Sequence, residues 1–571
     1  MEVSGVALPV FLASLACLGA LVGAAVARFL RTWLMLRHLP GPKEATLLRG
    51  SLASILHPHN HRIFTTWTDT YGPVFRVRAV WKQLVFVTDP RLVAEIFRKS
   101  KELDKDWRLL APFSQMMSPQ GHGNIVSAST HSPYWKAMRK GIAVAFRANN
   151  MKAGFPRVVE AGRQLVDTLR EVSAGGKTVD MNDALLRESI DVIGRFGFDR
   201  DMGATKAMLA ADELSQAGAS GDAVQLTARA LTEVKLRFYE PFRRFRVWRK
   251  DVREGRETFH RYQQMLMGLL EHMHAEDPSP DTLAGCLLQV PDPHTGKPLA
   301  DERLLPEVGA IFMAGFDTSG HTATWVLFLV SQHPQVEARI VEELQWRGLL
   351  VEQGQPRPRL PTYEDVEALP FLKAVINETM RMYPAVGTAT TRINPDQDIA
   401  LDGGRLVIPR GVPIRMHIHS IHNCAANWER PHEFLPERFL QADAEFLPAA
   451  PIRPAAASAH SKADRATDIT ATATAASGGA PTAEGGDGAA VVGGKRCRRF
   501  IPFSDGVRSC VGYPLARLNL VSSLAQLYGN FTFELAPEMG GAKGVADAER
   551  ASITLACANG MKMACRERNP A

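Results

Sequence analysis

The chain opens on its longest apolar run. From Val3 to Ala27 no residue is charged, and at about 1.5 Å of helical rise per residue such a run crosses a hydrocarbon core of about 30 Å. Arg28, Arg31 and Arg37 follow at once. Positive flanks stay cytoplasmic, so residues 1–38 read as an uncleaved anchor with the body of the protein on the cytosolic side. A cleaved leader is the competing reading, but it usually has a basic start and this chain begins Met-Glu. Pro40-Gly41-Pro42 then forms a stiff hinge that stops the helix. Beyond it, Val74-Phe75-Arg76-Val77-Arg78 alternates like a strand, and Leu84-Val85-Phe86-Val87 is a second extended run. Later segments are mostly helical. Residues 361–383 place Leu369, Leu372, Val375, Ile376 and Met380 at helical spacing, and an apolar helical run extends from about Leu304 to Val330.

This succession continues without a clear linker to about residue 440. The pattern then breaks. Between about residues 442 and 495 the chain is Ala, Gly, Thr, Ser and Pro with almost no aromatics. Such a stretch buries too little apolar surface to offset its chain entropy, and it reads as a disordered surface insertion. Order is expected again near Arg499.

Composition narrows the function classes. The net charge is +7, from 67 basic and 60 acidic residues. Without a basic stripe or a binding module this does not indicate nucleic acid; a membrane face or an acidic partner suits it better. Seven cysteines are scattered with no CxxC pair. That argues against a disulfide framework or a cysteine-based zinc site and for a reducing compartment.

The most specific chemistry lies in Phe503-Ser504-Asp505-Gly506-Val507-Arg508-Ser509-Cys510-Val511-Gly512. A thiolate ligand for haem iron needs positive potential and backbone N–H donors. A cysteine opening a helix has both, and the stretch from Val511 through Leu515, Ala516 and Leu520 reads as that helix. Gly506 and Gly512 let backbone approach a ring, Arg508 can pair with a haem carboxylate, and Phe503 can shield the sulfur. The complete spacing FxxGxRxCxG resembles the haem-loop signature of the cytochrome P450 family.

Other segments carry the same resemblance over about residues 39–440 and 496–560. Glu378-Thr379-Met380-Arg381 matches the family's ExxR, and Phe434-Leu435-Pro436-Glu437-Arg438-Phe439 supplies the arginine that joins that pair; the implied role of Glu378, Arg381 and Arg438 is scaffolding. Trp135 and Arg139 match a WxxxR element that holds a haem propionate, and Arg392 stands near the place of another propionate arginine. Ala314-Gly315-Phe316-Asp317-Thr318-Ser319 matches the oxygen-binding helix motif. Thr318 can bond the carbonyl of Ala314 and loosen the helix there, opening a groove beside Gly315. The resemblance implies that Thr318 and Asp317 manage protons. It also implies a mainly α fold, one large multihelical domain with small β-sheets around a buried haem b (iron protoporphyrin IX), over residues 39–571 interrupted by the insertion.

The implied activity is a haem-thiolate monooxygenase with Cys510 as axial iron ligand. It would insert one atom of O2 into an apolar or amphipathic substrate, with electrons from a separate NADPH-dependent reductase of the cytochrome P450 reductase type. The implied location is the endoplasmic reticulum membrane, with the catalytic domain facing the cytosol. Arg496, Arg498 and Arg499 are candidates for reductase docking. A haem-thiolate isomerase or dehydratase acting on hydroperoxides is the first alternative, and the intact Asp317-Thr318 pair argues against it. A non-catalytic haem carrier is the second.

Three further groups carry less. His417, His419, His422 and Cys424 include zinc-type residues, but on an extended segment only His417 and His419 share a face, and a structural connection is the better reading. His57, His59 and His61 read as a polar loop. Phe242 through Lys250 mixes aromatic and basic residues, and reads equally as a surface dipping into lipid headgroups or as a solvated helix start.

Overall fold

The computed structural model describes residues 4–43, 49–209, 223–240, 242–351, 355, 357–387, 390–441, 443–447, 491–492, 495–551 and 553–568. The architecture is mainly α-helical with small sheets. Its axis is the helix Asp301–Ser331, buried at nearly every position from Leu304 to Val330. A helix apolar on all sides has to be packed on all sides, and here Met181–Phe198, Lys250–Glu276, Pro370–Met382 and Tyr513–Asn530 surround it. Met181–Phe198 comes closest, because a Cβ added at Gly315 would lie 2.7 Å from Ile193 Cγ1, and one at Gly320 would lie 2.9 Å from Leu186 Cα.

The two extended runs form a hairpin, Val74–Ala79 and Lys82–Val87, turned by Val80 at φ 56°. Ile414–Met416 joins parallel to its second strand, and Thr391–Arg392 closes the sheet antiparallel. A second sheet pairs Phe531–Leu535 and Thr178–Asp180 on either side of Lys562–Glu567. The helical segment expected over residues 361–383 is two helices, Tyr363–Glu367 and Pro370–Met382. Pro370 disfavours helical backbone at Leu369 and starts the second one.

The apolar N-terminal run is one helix, Ser4–Leu36, whose portion Phe11–Leu36 is long and apolar enough to cross a membrane. It ends four residues before Pro40, so the hinge does not stop it. Its last turns dock on the body instead: Leu36 is buried with Val85 and Ile414, Arg31 pairs with Asp398 at 2.7 Å, and Arg28 lies against Gly411. The following segment is pinned too, since Arg76 N–H donates to Pro40 O at 2.9 Å.

The expected insertion lies largely outside the described residues. Its ends are described, and they meet: Leu447 N–H donates to Cys497 O at 2.9 Å, Arg496 pairs with Asp443, and Val491–Val492 pairs with Lys495–Arg496. The described residues thus resume at Val491, ahead of Arg499.

Candidate active site

The Phe503–Gly512 loop folds back on itself, with Cys510 N–H donating to Phe503 O at 2.9 Å. A one-turn 3-10 segment, Gly506–Arg508, is capped by Asp505. Gly506 sits at φ +69°, where an added Cβ would come within 3.3 Å of Phe97 O; this conformation favours glycine. The helix begins at Tyr513, two residues later than Val511, so Cys510 precedes it rather than opening it. The helix end still serves the sulfur, which receives the backbone N–H groups of Gly512 and Tyr513 and faces the Arg139 guanidinium. Burial outweighs these effects and pushes the thiol above its ordinary pKa. Cys510 is nevertheless exposed. A side chain both deep in the protein and accessible lies on the wall of an interior crevice. Phe503 stands edge-on to Tyr513, ring centroids 4.7 Å apart, and a Cβ at Gly512 would lie 4.0 Å from the sulfur.

Beside the loop stands a cluster of cations. Arg508 donates to Thr130 Oγ1 at 2.9 Å, to Ile125 O at 2.8 Å and to Ala128 O, and stacks 4.2 Å over the Trp135 ring. Trp135 donates from Nε1 to the same Ile125 O at 3.1 Å. Arg139, one turn further on that helix, reaches Ser509 Oγ at 3.5 Å. Arg392, buried on the sheet edge, donates to Thr391 O at 3.0 Å. Lys105 joins them, a residue the sequence did not single out. Burial pushes Lys105 down to about 7, with repulsion from Arg392 and Arg508 adding to it. Burial likewise pushes Arg392 and Arg508 down to about 10 each. One carboxylate, Asp104, acts on all three. Arg392 is buried and Lys105 and Arg508 are half-buried; like charges gathered in this way call for an anionic partner.

The central helix contributes the remaining wall. Between Leu304 and Val330 only Ile311, Ala314, Gly315 and Thr318 keep accessible surface. Their spacing of three, one and three puts them on one helix face. Thr318 Oγ1 donates to Ala314 O at 3.0 Å, as expected, yet the helix runs unbroken through this point. Gly315 has a reason other than the groove read from the sequence, namely the close passage of Ile193. Asp317 is buried and turned toward His321, with Oδ1 3.5 Å from Nε2. Thr318 and Asp317 thus occupy different faces of the helix.

Beneath lies a buried ion network. Arg381 and Glu378, both fully buried, pair through two contacts of 2.8 and 2.9 Å. Arg381 also donates to His422 O, Pro431 O and Glu433 O, and Glu378 accepts from Leu435 N–H and from Arg438 Nε at 3.3 Å. Every polar arm of the pair is used, which is what makes such burial tolerable.

His61, His417, His419 and His422 are packed within the core. His417 caps a short helix, Ile418–Asn423, where an extended segment was expected. His419 bonds Thr65 at 2.8 Å, and His422 Nε2 accepts from Ile501 N–H at 2.9 Å. His61 is buried on the helix Asn60–Tyr71, not in a polar loop, and contacts Glu549 at 2.9 Å. Of the expected docking arginines, Arg499 is spent internally on Ala444 O, Asn427 O and the Trp428 ring, and Arg496 is paired with Asp443. Arg498 remains exposed.

The site residues fit a flat, iron-bearing prosthetic group with its own carboxylates: a thiol on an interior wall, an apolar accessible helix face, and buried cations in excess of their anion. Comparison with known proteins agrees. The family model "Cytochrome P450" matches residues 40–454 and 490–543. The chain is 23% identical to pluviatolide synthase of Podophyllum peltatum over 87% of this chain and 86% of that protein. It is 24% identical to the chloroplastic carotene epsilon-monooxygenase of Arabidopsis thaliana over 83% and 76%. It is also 24% identical to a bifunctional cytochrome P450/NADPH–P450 reductase of Bacillus subtilis, over 70% of this chain and 36% of that one. The chain belongs to the cytochrome P450 family, the haem-dependent oxidoreductases that act as monooxygenases.

Proposed function

We propose that this protein is a monooxygenase for apolar or amphipathic substrates, built on haem b held by Cys510. The observation that carries the reading is the cation cluster around the Cys510 loop, in which Lys105, Arg392 and Arg508 share Asp104. Lys105, Arg392, Arg508 and Arg139 would hold the haem carboxylates, with Trp135 fixing the Arg508 plane. Phe503, Gly506 and Gly512 shape the sulfur side. Bound there, the haem supplies dioxygen activation and oxygen transfer, with the thiolate favouring O–O cleavage.

The protein's own part is orientation and proton control. Thr318 offers a hydroxyl on the one accessible face of the central helix. Asp317, one residue earlier on the neighbouring face and linked to His321, would relay protons toward that hydroxyl by turning away from His321. Glu378, Arg381 and Arg438 keep the Cys510 side rigid. Electrons come from a separate NADPH-dependent reductase. The printed name of the Bacillus relative, which joins the two activities, supports that pairing, and exposed Arg498 is available to meet such a partner. Residues 1–38 anchor the chain in the endoplasmic reticulum membrane, with residues 39–571 as the cytosolic haem domain.

The test is the carbon monoxide difference spectrum of the reduced protein beside Cys510→Ala. The wild type should give the thiolate-ligand band and the variant should lose it. A band that survives in Cys510→Ala removes the ligand assignment.

A further inference from the structure

On the outer side of the central helix lies a recess of about 430 Å³, bounded by residues 111–121, the end of the helix Ala223–Tyr239, and the start of Lys250–Glu276. Its charged lining has one sign: Arg237, Arg244 and Arg256 face it, and among the described residues no Asp or Glu does. Arg237 is committed in part, donating from Nε to Glu233 at 2.9 Å and from Nη1 to Gln115 at 3.2 Å. Arg244 and Arg256 differ. Among the described residues neither makes an ion pair; Arg256 donates to Arg244 O at 2.7 Å, and the Arg244 guanidinium rests on the Phe245 ring. Three guanidiniums are thus gathered at one concavity, two of them exposed and, among the described residues, without a carboxylate.

Nothing in the cytochrome site explains this gathering. Like charges held together cost free energy unless a ligand offsets them. The recess is also amphipathic. Ala111, Pro119 and Phe259 line it, and the adjoining turn exposes Phe242, Phe245 and Trp248. Near Gln115 and Gln263 in sequence, Met117 and Leu266 pack on Gly309 of the central helix. Gly309 precedes Ala314 by five residues, about 7.5 Å along a helix.

We propose that this recess binds the anionic end, phosphate or carboxylate, of an amphipathic molecule whose apolar part lies against the Phe242–Trp248 turn. The guanidiniums of Arg244 and Arg256 supply charge-assisted hydrogen bonds to it, and Arg237 supplies the fixed back wall. Membrane lipid and free amphipathic acid share this chemistry. The inference rests on the recess and not on the haem assignment, so it stands or falls separately from the carbon monoxide test.

The experiment uses the full, haem-loaded chain in neutral phosphatidylcholine nanodiscs and measures binding of hexyl phosphate and hexanol by calorimetry. Hexyl phosphate should bind about ten-fold or more tightly than hexanol, and Arg244→Gln with Arg256→Gln should abolish that difference. Arg246→Gln with Lys250→Gln, on the same turn but not lining the recess, should leave it. Repeating the titration in phosphatidylserine-containing nanodiscs identifies the source. Weakened hexyl phosphate binding there points to lipid headgroups, and unchanged binding points to a free amphiphile; both support the site. Equal affinity for phosphate and alcohol, or equal loss in both double variants, overturns it.

Discussion

Lys105 illustrates what a single residue can hide. Trp135, Arg139, Arg508 and Cys510 announce themselves by fixed spacing. A lone lysine in a connecting segment has no spacing to read, and its place among Arg392 and Arg508 depends on contacts nearly 290 and more than 400 residues away in sequence. Its titration gives a signed expectation. In the haem-free protein burial holds Lys105 near 7, against an ordinary 10.5. A bound haem carboxylate raises it again, so haem binding takes up a proton between those pH values. Haem affinity should therefore fall as pH rises from 7 toward 10, and that slope should flatten in Lys105→Met. Spectrophotometric haem titration at pH 7 and pH 9 measures both. An equal slope in the variant would show that Lys105 is not the responsible group.

Elements were legible where their pattern was uniform. The apolar run from Leu304 to Val330 could only be a buried helix, and it is one. Its accessible face was legible at Ala314, Gly315 and Thr318, where the motif placed a groove, but not at Ile311, which looks like its buried neighbours. The segment from His417 to Cys424 misled in the other direction: alternating histidines mimic a strand, while a His417 cap and tertiary contacts make a helix. Two predictions belong to this scale. Gly315→Ala puts a methyl group 2.7 Å from Ile193 Cγ1, and should cost about 1–3 kcal/mol in denaturant unfolding, as overpacking does. Ile193→Ala in the same chain should return part of that loss, giving a non-additive cycle. Arg381→Ala leaves Glu378 buried and unpaired, which costs about 3–5 kcal/mol. Arg381→Lys should rescue little, since an ammonium cannot reach Glu378 and three carbonyls together. Unfolding midpoints and haem retention report both.

At the scale of the molecule, the division between a patterned chain and the Ala/Gly-rich stretch was plain from composition, and the family match skips residues 455–489. What composition could not convey is that the two ends of the stretch are tied at a neck by Leu447, Cys497, Asp443 and Arg496. Because that neck lies outside the excised residues, replacing 455–489 by a short Gly-Ser linker should leave melting temperature and haem spectrum unchanged. A lower melting temperature would assign the stretch a packing role.

The junction between the first helix and the body was equally invisible, since Arg31 and Asp398 are 367 residues apart. The apolar span and the docked end are one unbroken rod, Ser4–Leu36. A rod transmits rotation where a string does not. Each residue inserted between the apolar span and Arg28 would turn the face of the span about 100° relative to everything downstream. With the span in a bilayer as proposed, the body would be geared to it through helical phase, and the heading of its surfaces would be set by the spacing between the apolar face and Arg28.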